Sequence, residues 1–170
     1  MRMNASLFRQ SNKRAYLPLG YSIMLVMVLL TFAACNNNTL FMGNNPVNED
    51  GWEKNQPLVF EIPVADTTGL HTMHFLLRHT TDYPFSNLYV FLDIEFPDNR
   101  IMRDTLECIL ADRTGKWTGK GFGRIKSSEY LFRDNVWFPD SGTYTIRIRH
   151  GMRTNPLPGI SDAGIMIRKK

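Results

Sequence analysis

The fold class is decided by residues 143–149, TYTIRIR, near the end of the chain. Tyr144, Ile146 and Ile148 alternate there with threonine and arginine. Because successive side chains of a β-strand point to opposite faces of a sheet, this alternation predicts a strand with one buried face and one solvated face. The preceding residues 139–142, PDSG, are typical of a tight turn that leads into a strand.

The same two-residue period recurs toward the N-terminus. Residues 58–64 (LVFEIPV) place four apolar side chains on one face, and Pro63 indicates a sheet edge because proline cannot donate a backbone hydrogen bond. Residues 71–79 (HTMHFLLRH) alternate with one interruption. Residues 88–96 are partly apolar on both faces, which favours a central strand.

Strands at this spacing, separated by turns rich in glycine and proline, predict an all-β fold. We expect an antiparallel β-sandwich, jelly-roll or immunoglobulin-like. We place this single domain at residues 57–170, which are enough for one hydrophobic core. Residues 35–56 are rich in asparagine and poor in apolar residues, and we interpret them as a flexible tether. Trp52 is the exception in that segment and a candidate to dock on the domain.

The net charge of +4 comes entirely from the N-terminal segment. Arg2, Arg9, Lys13 and Arg14 are the charged residues before position 35, and the rest of the chain carries sixteen basic and sixteen acidic residues. A formally neutral domain lacks the basic excess that is typical of nucleic-acid-binding proteins. We therefore expect no nucleic-acid partner.

Residues 1–34 are interpreted as an export signal. A basic start is followed by an apolar stretch, residues 23–34, that is short for a membrane-spanning helix, and then by Cys35. Residues 31–35 (TFAAC) resemble a lipobox, which implies cleavage before Cys35 and attachment of acyl chains such as palmitate to that residue. A signal anchor that stays in the membrane, and ordinary cleavage without lipid, remain open alternatives.

The sequence contains no pattern that points to a reaction. Cys108 is in phase with Leu106 and Leu110, so we expect a core thiol rather than a nucleophile. The four histidines lack the spacing of a metal-ligand pair. Asp93 and Glu95 share a strand face, where neighbouring carboxylates are generally solvated rather than catalytic. We therefore predict no catalytic residue, no metal site and no cofactor.

Two loops are candidates for contacts with a partner. Residues 115–123 (GKWTGKGFG) form either a tight turn pinned by a core tryptophan or a surface loop that presents aromatic and basic side chains. The proline-containing residues 152–160 form either a structural crossing or a second contact site. The candidate side chains in these loops are Lys116, Trp117, Lys120, Met152 and Arg153.

Several short motifs together carry a family resemblance. They are YPFSNL (83–88), LAD (110–112), GKWTGKG (115–121), GTY (142–144), MR (152–153) and LPGISDAG (157–164). With the lipoprotein signal, this set resembles the gliding-motility-associated lipoprotein GldH family of Bacteroidota, over most of the chain from about residue 52. The resemblance implies a small lipid-anchored envelope protein, needed for gliding and linked to the motility and type IX secretion apparatus. It implies envelope proteins of that apparatus as partners and no catalytic residues.

The expected function is thus that of a non-enzymatic, lipid-anchored protein of the cell envelope. The alternative is a glycan- or ligand-binding lipoprotein in which Trp52, Trp117 or Trp137 is a stacking platform, and burial of these rings would exclude it. Residues 36–38 (NNN) lack an acidic run of the kind that resembles surface-export signals in these bacteria. We therefore expect attachment to the outer membrane in its periplasmic leaflet.

Overall fold

The computed structural model describes residues 38–170, which form eight β-strands. Their bounds in chain order are β1 Thr39–Pro46, β2 Leu58–Val64, β3 Leu70–Thr80, β4 Asn87–Glu95, β5 Ile101–Ile109, β6 Ile125–Trp137, β7 Gly142–His150 and β8 Ile160–Lys169. Within the described residues there is no helix long and apolar enough to cross a membrane. The predicted export signal and Cys35 lie outside the described residues.

The strands form two antiparallel sheets of four strands each. Sheet I has the order β1-β8-β3-β6, and sheet II has the order β2-β7-β4-β5. Consecutive strands alternate between the sheets except at the β4–β5 hairpin of sheet II, and this arrangement is that of an eight-stranded jelly roll. The predicted antiparallel β-sandwich is confirmed, and of its two forms the strand order selects the jelly roll over the immunoglobulin-like fold.

The core lies between the two sheets and follows the two-residue period. On β7, the buried Tyr144, Ile146 and Ile148 face inward while Thr145 and Arg147 face outward, as the alternation predicts. Strand β4 has neighbours on both sides and β2 lies at an edge, which confirms the central and edge placements. The largest fully buried side chains are Trp52, Tyr144, Phe75, Ile62, Met73, Leu77, Leu88, Leu92, Leu110, Ile146, Ile148 and Leu157.

Cys108 is a core residue of this sandwich. Its side chain is fully buried on β5 and forms no disulfide. Burial raises the pKa of the Cys108 thiol to about 12, because the thiolate loses solvation among apolar neighbours. The residue is therefore an inert small hydrophobe, as its phase with Leu106 and Leu110 predicts.

The interpretation of residues 39–56 as a flexible tether is wrong. Residues 39–46 form β1, whose backbone pairs with β8 from Thr39 to Pro46. Trp52, which the sequence marked as a candidate to dock, is 2% exposed, and its backbone N–H donates to the Leu157 carbonyl oxygen at 2.8 Å. The segment was missed because an asparagine-rich edge strand gains its stability from β8 and not from a local apolar pattern.

Strand β1 approaches β8 closely at one glycine. At Gly164, opposite Asn44, an added Cβ would collide with the Asn44 side-chain oxygen and with the Gly43 carbonyl oxygen. One of these two atoms belongs to the backbone, so the neighbouring strand would have to move to make room. Glycine is therefore required here by packing across the strands.

We predict that Gly164→Ala lowers the free energy of unfolding by about 1–3 kcal/mol, as overpacked core sites do. Thermal and urea unfolding followed by circular dichroism would measure the loss. Gly69→Ala is the matched control, because its added Cβ would meet no backbone atom and would come closest to the flexible Lys169 side chain, at 3.2 Å. Equal stability of Gly164→Ala and the parent chain would contradict the packing argument.

Candidate partner-contact surface

The strand directions bring four connections to one end of the sandwich. Strands β1, β3, β5 and β7 all run toward this loop end, which carries residues 47–57, 81–86, 110–124 and 151–159. The opposite, terminal end carries Asn38, Lys170 and the three connections 65–69, 96–100 and 138–141. Both loops that were predicted to contact a partner therefore lie at the loop end.

Backbone hydrogen bonds tie the loops of the loop end to one another. Trp52 and Leu157 exchange two hydrogen bonds of 2.8 and 2.9 Å, which join residues 47–57 to residues 151–159. The Ser86 carbonyl oxygen accepts from the amides of Leu110 and Ala111. The loop end is thus a braced surface, on which exposed side chains are held in place by a rigid scaffold.

The first part of the glycine-rich loop is a tight turn organised by one carboxylate. Asp112 accepts hydrogen bonds from the Thr114 hydroxyl, the Thr114 amide and the Lys116 amide at 2.7–3.1 Å. These bonds, that from the Thr114 hydroxyl first, hold the pKa of Asp112 below its usual value. The carboxylate therefore stays ionised and keeps the turn closed, while the Lys116 side chain is exposed.

Trp117 agrees with the interpretation of this loop as a tight turn pinned by a tryptophan. Its ring is half-buried and packs against His79 with 4.8 Å between ring centroids. The residue pins the turn onto the core and offers only part of its ring to a partner.

Lys120 borders a groove on the outer face of sheet I. It exchanges two backbone hydrogen bonds of 2.7 and 2.8 Å with Ser127, so the loop extends the β6 edge. The groove has a volume of about 560 Å³, and its lining includes Met42, Leu76 and the Arg78–Asp162 ion pair.

Met152 and Arg153 belong to a different depression on the outer side of sheet II. The Met152 sulfur accepts from the Tyr89 amide at 3.4 Å, and both residues line a space of about 310 Å³ that also includes Phe85 and Gly151. The structure therefore divides the five candidate residues between two places at the loop end. Their role in partner contact stays a prediction.

Sequence reasoning missed the most exposed aromatic residue of the loop end. Phe122 is fully exposed and lies between Gly121 and Gly123, whose φ angles are +144° and +66°. These left-handed conformations favour glycine, so the flanking glycines shape a tight tip that holds the phenyl ring in solvent. The available signal was a phenylalanine with glycines on both sides in a basic loop, GKGFG. This short segment contains no other apolar side chain against which the ring could pack.

Comparison with known proteins identifies the family. The family model described as GldH lipoprotein matches residues 39–167. The chain belongs to the GldH lipoprotein family. It is 32% identical over 155 residues to "Gliding motility lipoprotein GldH" of Flavobacterium johnsoniae, which covers 87% of this chain and 95% of that protein. It is 31% identical over 151 residues to "Gliding motility lipoprotein GldH homolog" of Christiangramia forsetii, which covers 85% and 92%.

The carboxylate pair on β4 of this GldH-family chain is held in ion pairs. Asp93 accepts from Arg103 at 2.5 Å and from Arg149 at 2.7 Å, and Glu95 pairs with Arg147. The hydrogen bond from Arg103 is the main reason that the pKa of Asp93 is lowered. Asp93, held ionised in this way, is a poor proton donor. The ion pairs of Asp93 and Glu95 instead stabilise the outer face of sheet II.

The tryptophans weaken the alternative of a glycan-binding member of the GldH family. Trp52 is buried and Trp117 is half-buried against His79, so neither presents an open ring face of the kind that stacking on a sugar needs. Trp137 is 60% exposed, so of the three rings it alone keeps the accessibility that the glycan-binding alternative requires, and it lies at the terminal end. The described residues also contain no cluster of three or more potential metal ligands.

Two histidines are buried beneath the loop end. His79 and His150 are 0% and 2% exposed, and the Nδ1–H group of His79 donates to the Thr80 carbonyl oxygen at 2.9 Å. Burial lowers the pKa of both rings, because it disfavours the charged imidazolium. Both rings are therefore neutral in the folded protein at neutral pH.

We predict that the domain loses stability as the pH falls from 7.5 to 5.5. A histidine whose pKa is lower in the folded state than in the unfolded state stabilises the fold above the unfolded pKa, near 6.5. That contribution is lost as protons bind the unfolded chain preferentially. Thermal unfolding across this range would measure the slope, and the double variant His79→Gln/His150→Gln should flatten it. An unchanged slope in the double variant would assign the pH dependence to other groups.

Proposed function

We propose that this protein is a lipid-anchored, non-enzymatic component of the bacterial cell envelope that supports gliding motility. The observation that carries the proposal is family membership along most of the chain, with two relatives that are both named for gliding motility. The proposal adds association with the motility and type IX secretion machinery, which the family resemblance implies. It also adds attachment to the periplasmic leaflet of the outer membrane.

The sequence before the domain supports a lipid anchor at Cys35. Residues 31–35 end in two alanines and the cysteine, after an uncharged apolar stretch. Acyl chains on Cys35 would bury methylene groups that contribute about 0.8 kcal/mol each, so two or more chains hold a protein stably on a bilayer. Because the chain from residue 35 onward is formally neutral, lipid and not basic charge is the proposed attachment.

We expect Cys35→Ala to abolish incorporation of radiolabelled palmitate in cells. Cys108→Ala is the matched control and should keep the label, because its thiol is buried on β5. In membrane fractions, high salt should leave the parent protein bound and detergent should release it. Palmitate label that persists in Cys35→Ala would overturn the proposed anchor.

The non-enzymatic role is supported by the chemistry of the described residues. The Cys108 thiol is buried with a raised pKa, and the Asp93 and Glu95 carboxylates are held by arginines. These three candidate groups for nucleophilic or acid–base chemistry are thus committed to packing and ion pairing.

The loop end supplies the proposed contact with a protein partner. Phe122 offers an exposed aromatic ring, and the exposed Lys116 and Lys120 lie in the same loop. An aromatic side chain that enters a partner's apolar pocket is the kind of residue that dominates binding energy at protein interfaces. Because the loop is braced by hydrogen bonds to Ser127 and Leu110, little ordering is needed on binding.

We predict that Phe122→Ala lowers crosslinking to envelope partners about tenfold or more, as the loss of a dominant interface residue does. The measurement is in-cell crosslinking with mass spectrometry, together with the rate of colony spreading where the host glides. Leu131→Ala is the matched control, since Leu131 is 53% exposed on the outer face of sheet I, away from this loop. The same crosslinked partners at full yield in Phe122→Ala would exclude this contact.

A further inference from the structure

We propose that the terminal end of the sandwich is a lipid-facing surface in which Trp137 and Leu70 enter the headgroup layer of the bilayer. The domain would then stand on the membrane with its loop end directed away from the lipid. This inference rests on the proposed lipidation of Cys35, and it adds an interaction surface on the folded domain itself.

The length of chain between the anchor and the domain limits where the domain can lie. Strand β1 begins at Thr39, and the Asn38 carbonyl oxygen already accepts from the Lys169 amide at 2.6 Å. Only residues 36–38 separate Cys35 from this hydrogen-bonded part of the chain. At ~3.3–3.6 Å per residue, these three residues span roughly 10–11 Å at full extension.

This reach is comparable with the dimensions of the membrane surface. The headgroup layer on each side of a bilayer is roughly 5–8 Å thick, from the difference between the total thickness and the hydrocarbon thickness. With the acyl chains of Cys35 in the hydrocarbon, the start of β1 cannot rise far above the headgroups. The terminal end is therefore the part of the domain that the anchor holds against the lipid.

The terminal end presents apolar side chains suited to that position. Leu70 and Trp137 are paired across β3 and β6, so both project from the outer face of sheet I. They are 48% and 60% exposed. The Trp137 indole N–H donates to the Thr67 carbonyl oxygen at 2.7 Å, so its polar group has a partner and its ring surface remains open. Tryptophan with a satisfied polar group and an open ring is favoured at membrane interfaces.

The charged side chains around Trp137 are paired, so this surface presents no excess charge to the lipid. Lys169 Nζ lies 3.1 Å from Asp66, and Lys170 Nζ lies 2.7 Å from Asp134. Each lysine of the chain's end is thus matched by a carboxylate. Attraction to anionic lipid is weak in this arrangement, and the contact depends on burial of the indole and leucine side chains.

The experiment uses the full-length protein, matured and lipidated in cells, in vesicles of neutral phospholipid. Vesicles with bromine on the acyl chains near the headgroup quench tryptophans that reach that depth. We expect a loss of roughly a third of the emission, because Trp137 is one of three tryptophans. The loss should persist at high salt, and bromine near the chain ends should quench less.

Two variants decide the assignment. Trp137→Phe should remove the quenching and keep the melting temperature, because the ring is largely exposed. Trp117→Phe should keep the quenching, because Trp117 lies at the loop end. Equal quenching in parent and Trp137→Phe would overturn the proposal, as would unquenched Trp137 emission that shifts with protein density, since that indicates contact with a second copy.

Mass spectrometry of the same preparation separates the two proposals. A lipid-modified Cys35 without quenching would leave the anchor intact and exclude the lipid-facing surface. An unmodified Cys35 would contradict the proposed function instead. Quenching that requires the lipidated form and Trp137 would support both.

Discussion

The pairing of β8 with strands from the beginning of the chain is the constraint on which the rest of the structure depends. Strand β8 lies between β1 and β3 and forms hydrogen bonds to both. Residues 162–167 are buried, including Met166 on the outer side. Because the last strand completes sheet I, folding must join residues that are more than a hundred positions apart. A topology of such distant contacts is slow to form, but it fixes the first and last strands of the domain once formed.

The local pattern was sufficient for strands that have one buried face and one solvated face. Residues 143–149 and 58–64 were predicted as strands from alternation alone, because each burial pattern follows from packing on a single core. Strand β1 could not be found in this way. Its residues gain stability from hydrogen bonding to β8 and from the close approach at Gly164, and neither leaves a period in the sequence.

The sequence predicted which residues of the candidate surface lie in loops, but not how those loops are arranged around the two sheets. Glycines and prolines indicated where the chain turns, and Trp117 was correctly weighed as a possible core residue. Sequence alone does not say that Lys120 and Met152 lie by different depressions, because that depends on which sheet each loop borders. Phe122 was not singled out within its loop for a related reason, since the full exposure of its side chain depends on how the surrounding fold places the loop.

The two ends of this domain differ because the number of antiparallel strands is even. With eight strands, the first begins and the last ends at the terminal end, and the connections at the loop end run from 6 to 15 residues, against 4 or 5 at the terminal end. A lipid at residue 35 would act on the end with short connections, where no loop is long enough to keep the sheets away from the surface. The longer loops, with Phe122 among them, are then the part of the molecule that a protein partner can approach without competing with the bilayer.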